Sequence, residues 1–221
     1  MRELSGADWV LSDQKIKSEE QIVRRIMPVA RVARAFAIAT VAIAEPDHAP
    51  ISREQRALIP DRPYDITKIG DRGSLGARDP SRKVSELLST TMIDEIPHLQ
   101  AVLDGTACLN GPRGTTPDHR ARLFDSLDTN RRDEWEEILA VQKHGVINMY
   151  ALGIHGKPGP MVSYDDEENL QDSQVLKEAL VRFKADKHDF EHASAEYDAY
   201  LRKKFVKMVL SRATGGRIGV S

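Results

Sequence analysis

The chain has 221 residues, with 32 Lys+Arg against 34 Asp+Glu and a formal net charge of −2. Hydrophobic residues at 40% and charged residues at 30% match a globular protein and exclude a wholly disordered chain. Cys108 is the single cysteine, which excludes an intrachain disulfide and a thiolate zinc cluster.

The first 25 residues carry Glu3, Asp8, Asp13, Glu19 and Glu20, a pattern unlike a secretory or transit segment. From Ser18 to Ala44, Ile22, Ile26, Val29, Ala33 and Phe36 recur at three- and four-residue steps. This spacing predicts one helix whose core face is that stripe, with Arg24, Arg31 and Arg34 on a solvated edge and Pro28 as a kink or first turn. The most apolar window, Ala35 to Ala44, gives about 15 Å of helix against roughly 30 Å of bilayer hydrocarbon. Extending it to Ile26 takes in Arg31 and Arg34, at about 2.5–3.5 kcal/mol each. The expectation is therefore no membrane span and a cytoplasmic compartment.

Residues 45–79 are punctuated by Pro46, Pro50, Pro60, Pro63, Gly70, Gly73 and Gly76. The Ser52–Gln55 capping-box spacing predicts one short helix, followed by an irregular stretch from Leu58 to Asp79. With eight Lys/Arg against five Asp/Glu over residues 50–83, this reads as a mildly basic arm. Asp79 and Pro80 then open a helix carrying Val84, Leu87, Leu88, Met92, Ile96, Leu99 and Leu103, bent at Pro97 and closed by Gly105. Thr116 and Pro117 start another. After a break at Asp128–Asn130, Trp135, Ile138, Leu139, Val146, Met149, Tyr150 and Leu152 read as helix up to Gly153. Beyond the Gly/Pro-rich loop at 153–160, residues 172–212 form one long helix or a hairpin broken near Asp186–Asp189. No strand is expected.

Charge is segregated near the C-terminus. Residues 161–200 carry a local net charge of −7, with Asp165, Asp166, Glu167 and Glu168 in a run. Residues 201–221 carry +6, from Arg202, Lys203, Lys204, Lys207, Arg212 and Arg217 with no acidic side chain. Helix-dipole matching explains part of this, at about 0.3–1 kcal/mol per charge. The three adjacent cations Arg202–Lys204 exceed it. They suit an acidic segment of a neighbouring subunit, or phosphates of nucleic acid.

His188, Glu191 and His192 satisfy H-x-x-E-H, which resembles the zinc motif of inverzincin metalloproteases over five residues. The resemblance implies two histidine ligands one turn apart and a glutamate base. It lacks the distant third ligand, since only 29 residues follow His192. Glu95 and His98 match one half of a di-iron Glu-x-x-His pair, with Pro97 between them. The segments Gly70–Gly76 and Gly153–Gly159 lack the strand–turn–helix setting of phosphate loops. Cys108 reads as a small buried side chain.

Together these features describe an all-α protein: a helical bundle with a long Pro/Gly-rich arm and a long C-terminal helix or helical hairpin. Its parts are an N-terminal helical segment (1–44), the arm (45–79), the bundle (80–214) and a tail (215–221). The expected function is a self-associating structural subunit of a virion, nucleoprotein or similar assembly, without a cofactor. Its partners are copies of itself and nucleic acid. The alternatives are a metal-dependent hydrolase centred on His188, Glu191 and His192, holding a divalent metal, and a protein-binding adaptor.

Overall fold

The computed structural model describes residues 7–44, 51–69, 96–152 and 172–213, with the backbone alone at 44, 68, 212 and 213. Among them are eight helices and four strands in the order α1 (Ala7–Val10), α2 (Asp13–Ala44), β1 (Ile51–Ala57), β2 (Pro63–Ile69), α3 (Ile96–Leu103), β3 (Cys108–Asn110), α4 (Pro117–Asp125), α5 (Thr129–Ala140), β4 (Gly145–Ile147), α6 (Met149–Leu152), α7 (Asp172–Glu191) and α8 (Ala195–Ala213). The protein is mostly helical.

Local signals place many helix ends where the chemistry requires them. Ser12 accepts from the Lys15 N–H at 3.1 Å and so caps α2. Thr116 precedes Pro117 at the start of α4, where the missing proline N–H costs nothing. Asp128 accepts from the Arg131 N–H at 3.1 Å and caps α5. Gly105 ends α3 with φ +73, a left-handed conformation that favours glycine. Pro97 sits in the first described turn of α3.

Three expectations are corrected. Residues 51–69 form an antiparallel hairpin rather than a helix from Ser52, with Ile51 opposite Ile69 and Ala57 opposite Pro63. A helix starting there would meet Pro60 within two turns, too short to be stable alone. The hairpin instead pairs its backbone and inserts Ala57, Leu58 and Ile59 into the core. Ala57 also exchanges both backbone hydrogen bonds with Thr115, at 2.8 and 3.2 Å. This part of the expected arm therefore folds onto its own chain; residues 45–50 and 70–95 lie outside the described ones. Second, the helix carrying Trp135 stops at Ala140, and Val146 belongs to β4, which pairs in parallel with β3. A Cβ on Gly145 would lie 2.5 Å from the Gly111 nitrogen, so the two backbones approach as only glycine permits. Third, the C-terminal hairpin breaks after Glu191 rather than at Asp186–Asp189. Ser194 accepts from the Tyr197 N–H at 3.1 Å and restarts the chain as α8.

The largest core gathers Leu58 and Ile59 of the hairpin, Leu123 and Phe124 of α4, Trp135 and Leu139 of α5, and Val175, Ala179 and Phe183 of α7. Trp135 stacks on Phe124 with centroids 4.9 Å apart and donates its indole N–H to Asp186 at 2.9 Å. A second cluster seats Val23, Met27 and Ala30 of α2 on Val102, Ala107 and Leu109. Further along α2, Ala37 and Val41 cover Ile69 of β2.

A buried charged staple holds the N-terminal end of α2. The Glu19 carboxylate accepts from the Leu109 and Asn110 N–H groups at 2.9 and 3.1 Å, and Lys15 Nζ donates to the Asn110 carbonyl at 2.9 Å. Lys15 also reaches Asp198 of α8 at 3.3 Å, and the Trp9 indole donates to the same carboxylate at 3.0 Å. Burial alone would lower the Lys15 pKa, but Glu19, Cys108 and Asp198 together hold it above the ordinary lysine value. Removing one partner of such a buried pair strands the other. Glu19→Ala is therefore expected to lower unfolding free energy by about 3–5 kcal/mol in urea titrations; a loss below about 1 kcal/mol would show that the staple is not holding α2.

Candidate functional site

The expected core stripe of α2 is not its buried face. Val23, Met27, Ala30, Ala37 and Val41 are buried, whereas Ile26, Val29, Val32, Phe36 and Ile43 are between 43% and 82% exposed. The helix thus carries two apolar stripes offset by one residue, and the rest of the described chain covers one. The other stripe runs Ile22, Ile26, Val29, Ala33, Phe36, Thr40, Ile43; Ile22 still packs against the second core cluster and Ala33 and Thr40 are half-buried, while Ile26, Val29, Phe36 and Ile43 are exposed. Its alternating four- and three-residue steps over three heptads are the spacing of a coiled-coil seam. In that register the positions flanking the seam are Val23, Ala30 and Ala37 on one side and Arg25, Val32 and Ala39 on the other. Monomers rarely leave so long an apolar strip in water. By length and composition α2 also suffices to cross a membrane, with a mean hydropathy of 1.7 in its most apolar window, of which 22% is buried.

The cations of α8 lie on its described face. Arg202 donates to the Asn110 side chain at 3.0 Å, and Lys204 lies 5.8 Å from the Tyr200 ring centroid. Lys203 is exposed and Lys207 half-buried. Among the described residues no carboxylate pairs with Arg202, Lys203 or Lys204. Val206 and Leu210 are exposed beside them. The Arg212 side chain, Arg217 and the acidic run Asp165, Asp166, Glu167 and Glu168 lie outside the described residues.

The H-x-x-E-H residues do fall near the end of one helix, but their geometry is not that of a ligand set. The His188 and His192 rings stack face to face at 3.9 Å, and His192 Nδ1 lies 2.9 Å from the His188 carbonyl. Glu191 lies 3.8 Å from Lys187. Among the described residues no three His, Cys, Asp or Glu side chains gather where they could hold a metal ion. Tyr197 of α8 closes this end of the hairpin: its hydroxyl donates to Asp189 at 2.6 Å, and Asp189 also accepts from the Met149 N–H at 2.9 Å. Burial pushes Asp189 up to about 7.

A second polar cluster has no counterpart in the sequence reading. Glu178, Arg182 and Asp186 of α7 are all buried. His119 Nε2 lies 3.1 Å from Glu178, Arg182 Nε donates to it at 2.7 Å, and the Arg182 guanidinium stacks over Tyr150 at 4.2 Å. Burial would raise Glu178, but hydrogen bonds and charge from His119 and Arg182 hold it at about 2. Arg120, fully buried, lies over Trp135 at 4.9 Å; burial and the neighbouring Arg182 push it down to about 10, so it remains charged at neutral pH. At four-residue spacing these charges resemble a solvated ion-pair ladder. The available signal was that Asp186 falls inside the apolar arc of Val175, Ala179, Phe183 and Phe190.

Cys108 behaves as expected of a buried thiol. It donates to the Asn110 carbonyl at 3.2 Å, and burial raises its pKa, which disfavours a thiolate. No protein-family model and no curated protein matches the chain.

Glu178 and Asp189 titrate in opposite directions. Glu178 binds its proton less tightly folded than unfolded, so its contribution rises as pH climbs from about 2 to the ordinary 4.5. Asp189 binds its proton more tightly when folded, so stability falls between the ordinary 3.8 and about 7. Unfolding free energy is therefore expected to peak near pH 4–5. The Asp189 limb should approach about 1.4 kcal/mol per pH unit. Denaturant titrations from pH 3 to 8 measure this, and an Asp189→Asn variant that keeps the same slope above pH 5 would remove Asp189 as the cause.

Proposed function

We propose that this protein is a self-associating helical structural subunit that pairs with a second copy of itself through the exposed seam of α2. The observation that supports this is the heptad stripe of α2 whose Ile26, Val29, Phe36 and Ile43 the rest of the described chain leaves exposed. A two-helix seam requires apolar residues at every three and four positions with little charge beside them. Here Arg25 is the single charge among the flanking positions from Val23 to Ala39.

Lipid is the weaker occupant. Residues 26–44 would give about 28 Å of helix, close to the hydrocarbon thickness. Arg31 and Arg34 then cost about 5–7 kcal/mol together on insertion scales, while the seven Ile, Val and Phe side chains of that stretch return at most about 4. Insertion would also strip Ala37 and Val41 from Ile69. A second copy asks for neither.

The cationic end of α8 adds a salt-sensitive contact in the same reading. Lys203 and Lys204 carry no carboxylate partner among the described residues, and the acidic run Asp165–Glu168 of a neighbouring copy has the complementary charge. Nucleic acid is the competing target for these cations, distinguished by binding whose salt slope drops when Arg202, Lys203 and Lys204 are neutralised.

Light scattering after size exclusion tests the seam. The natural chain is expected to run as a dimer or larger at 100 µM, in low salt and in 1 M NaCl. Val29→Glu with Phe36→Glu should yield monomers with unchanged helicity, because neither side chain is needed inside the monomer. A natural chain that is monomeric throughout overturns the proposal. If that monomer instead floats with phosphatidylcholine/phosphatidylglycerol vesicles, and the double variant does not, membrane attachment takes its place.

A further inference from the structure

We propose that the second copy docks on α2 in the parallel sense, about a two-fold axis running along the helices, with the two molecular bodies on opposite faces of the helix pair. This rests on the pairing through α2 proposed above and adds its geometry.

The relation between the two stripes of α2 selects that arrangement. Val23, Ala30 and Ala37, with Met27 and Val41, are buried under the rest of the described chain, whereas Ile26, Val29, Phe36 and Ile43 are exposed. Successive residues are about 100° apart around a helix, so stripes offset by one residue point about a quarter turn apart. The body of the molecule therefore stands beside the seam and not behind it. Two copies can face each other along such a seam in two symmetric ways. In an antiparallel pair the two-fold axis crosses the helices at right angles, and both bodies end up on the same face of the pair. Packed helix axes lie only about 8–10 Å apart. The body covers α2 from Val23 to Val41, through α3, the β3 region and β2. One helix with its side chains is already about 10–12 Å wide, so two such bodies would overlap. A parallel pair sends them to opposite faces, where neither obstructs the other.

Two side chains beside or within the seam agree with this. Val32 is 72% exposed, yet it belongs neither to the seam nor to the buried stripe. In a parallel pair the flank of one helix that carries Val32 meets the flank of the other that carries Ala37, so Val32 is covered as well. Thr40, the one polar residue of the seam, donates its hydroxyl to the Phe36 carbonyl at 2.9 Å. It can meet its own copy with its donor already satisfied.

Charge does not oppose the parallel sense, although α2 has four arginines and no acid from residue 21 to 44. Arg24 is paired with Glu20. Arg31 is exposed on the face away from the seam, and Arg34 is half-buried on the body side, in a cleft where His98 meets His144 edge-on at 5.0 Å. Arg25 flanks the seam, and its parallel neighbour is Ala30 of the second copy, an uncharged side chain.

Oxidative cross-linking with copper phenanthroline tests the direction, using Ile26→Cys and Ile43→Cys in the full chain, each on its own and mixed. Both positions are exposed, so circular dichroism is expected to show an unchanged fold. In a parallel pair each variant alone forms disulfide-linked dimers, at least fivefold more than the natural chain, whose Cys108 is buried, or than Arg31→Cys. In an antiparallel pair residue 26 lies at the opposite end of the seam from its own copy, up to about 26 Å away. Linked dimers that form only when the two variants are mixed overturn the parallel sense while leaving pairing through α2 in place. So does the absence of any link from either variant in a sample that light scattering shows to be dimeric. A monomeric natural chain removes the seam itself, and this proposal with it.

Discussion

The arrangement of this protein depends on a buried lysine and a buried glutamate one turn apart on α2. Lys15 and Glu19 take up the backbone groups of Leu109 and Asn110 that a three-residue parallel strand would otherwise leave short of partners. By reaching Asp198 as well, Lys15 ties the first long helix to the last one, across 183 residues of sequence. Two charges removed from water are costly unless every lone pair and proton is occupied. Here Glu19 accepts two N–H bonds and Lys15 meets a carbonyl and two carboxylates. Such a site specifies one docking of α2 and resists sliding, because a one-residue shift would expose both charges to apolar neighbours.

With α2 seated this way, the rest of the described residues cover only one of its two apolar stripes. Val23, Met27 and Ala30 meet α3 and the β3 region, and the neighbouring stripe is turned outward. The exposed seam is thus a consequence of the staple's register. The same seating brings Arg34 beside β2 and α3, where it forms part of a cleft whose other walls are a proline turn, a hairpin strand and a pair of fixed imidazoles.

A second principle runs through α7. Its buried charges are satisfied by residues from α4, α5 and α6: His119, Trp135 and Tyr150 each reach it. These contacts are directional, so they orient α7 in a core that otherwise consists of interchangeable Leu, Val and Phe side chains. Asp189 extends the series to the tip of the hairpin, where one carboxylate anchors both α6 and α8. Low dielectric strengthens each of these bonds and makes each missing partner expensive, which couples the hairpin to the rest of the fold.

Much of the helical architecture was legible from residues alone. The start at Thr116–Pro117, the break at Asp128–Asn130, the glycine stop at Gly105 and the α7–α8 region all rest on local rules: proline suits a first helical turn, and φ above zero favours glycine. The hairpin at 51–69 was not legible, because Ser52 and Gln55 satisfy a local capping pattern while strand pairing with residues 63–69 is a longer-range event. Nor could periodicity say which stripe of α2 would be buried, since Ile22–Ile43 and Val23–Val41 have nearly the same spacing and differ by one position. Sequence by itself therefore determined that the chain is mostly helical, where α4 begins and α3 stops, and that α2 has an apolar character; those properties depend on neighbours within a few residues. Tertiary structure alone decided which face of α2 meets water, that Glu178, Arg182 and Asp186 are internal, and that His98 meets His144. Each of these depends on partners far beyond one helical turn in sequence, such as His119 and Glu178, 59 residues apart, whose approach no local pattern encodes.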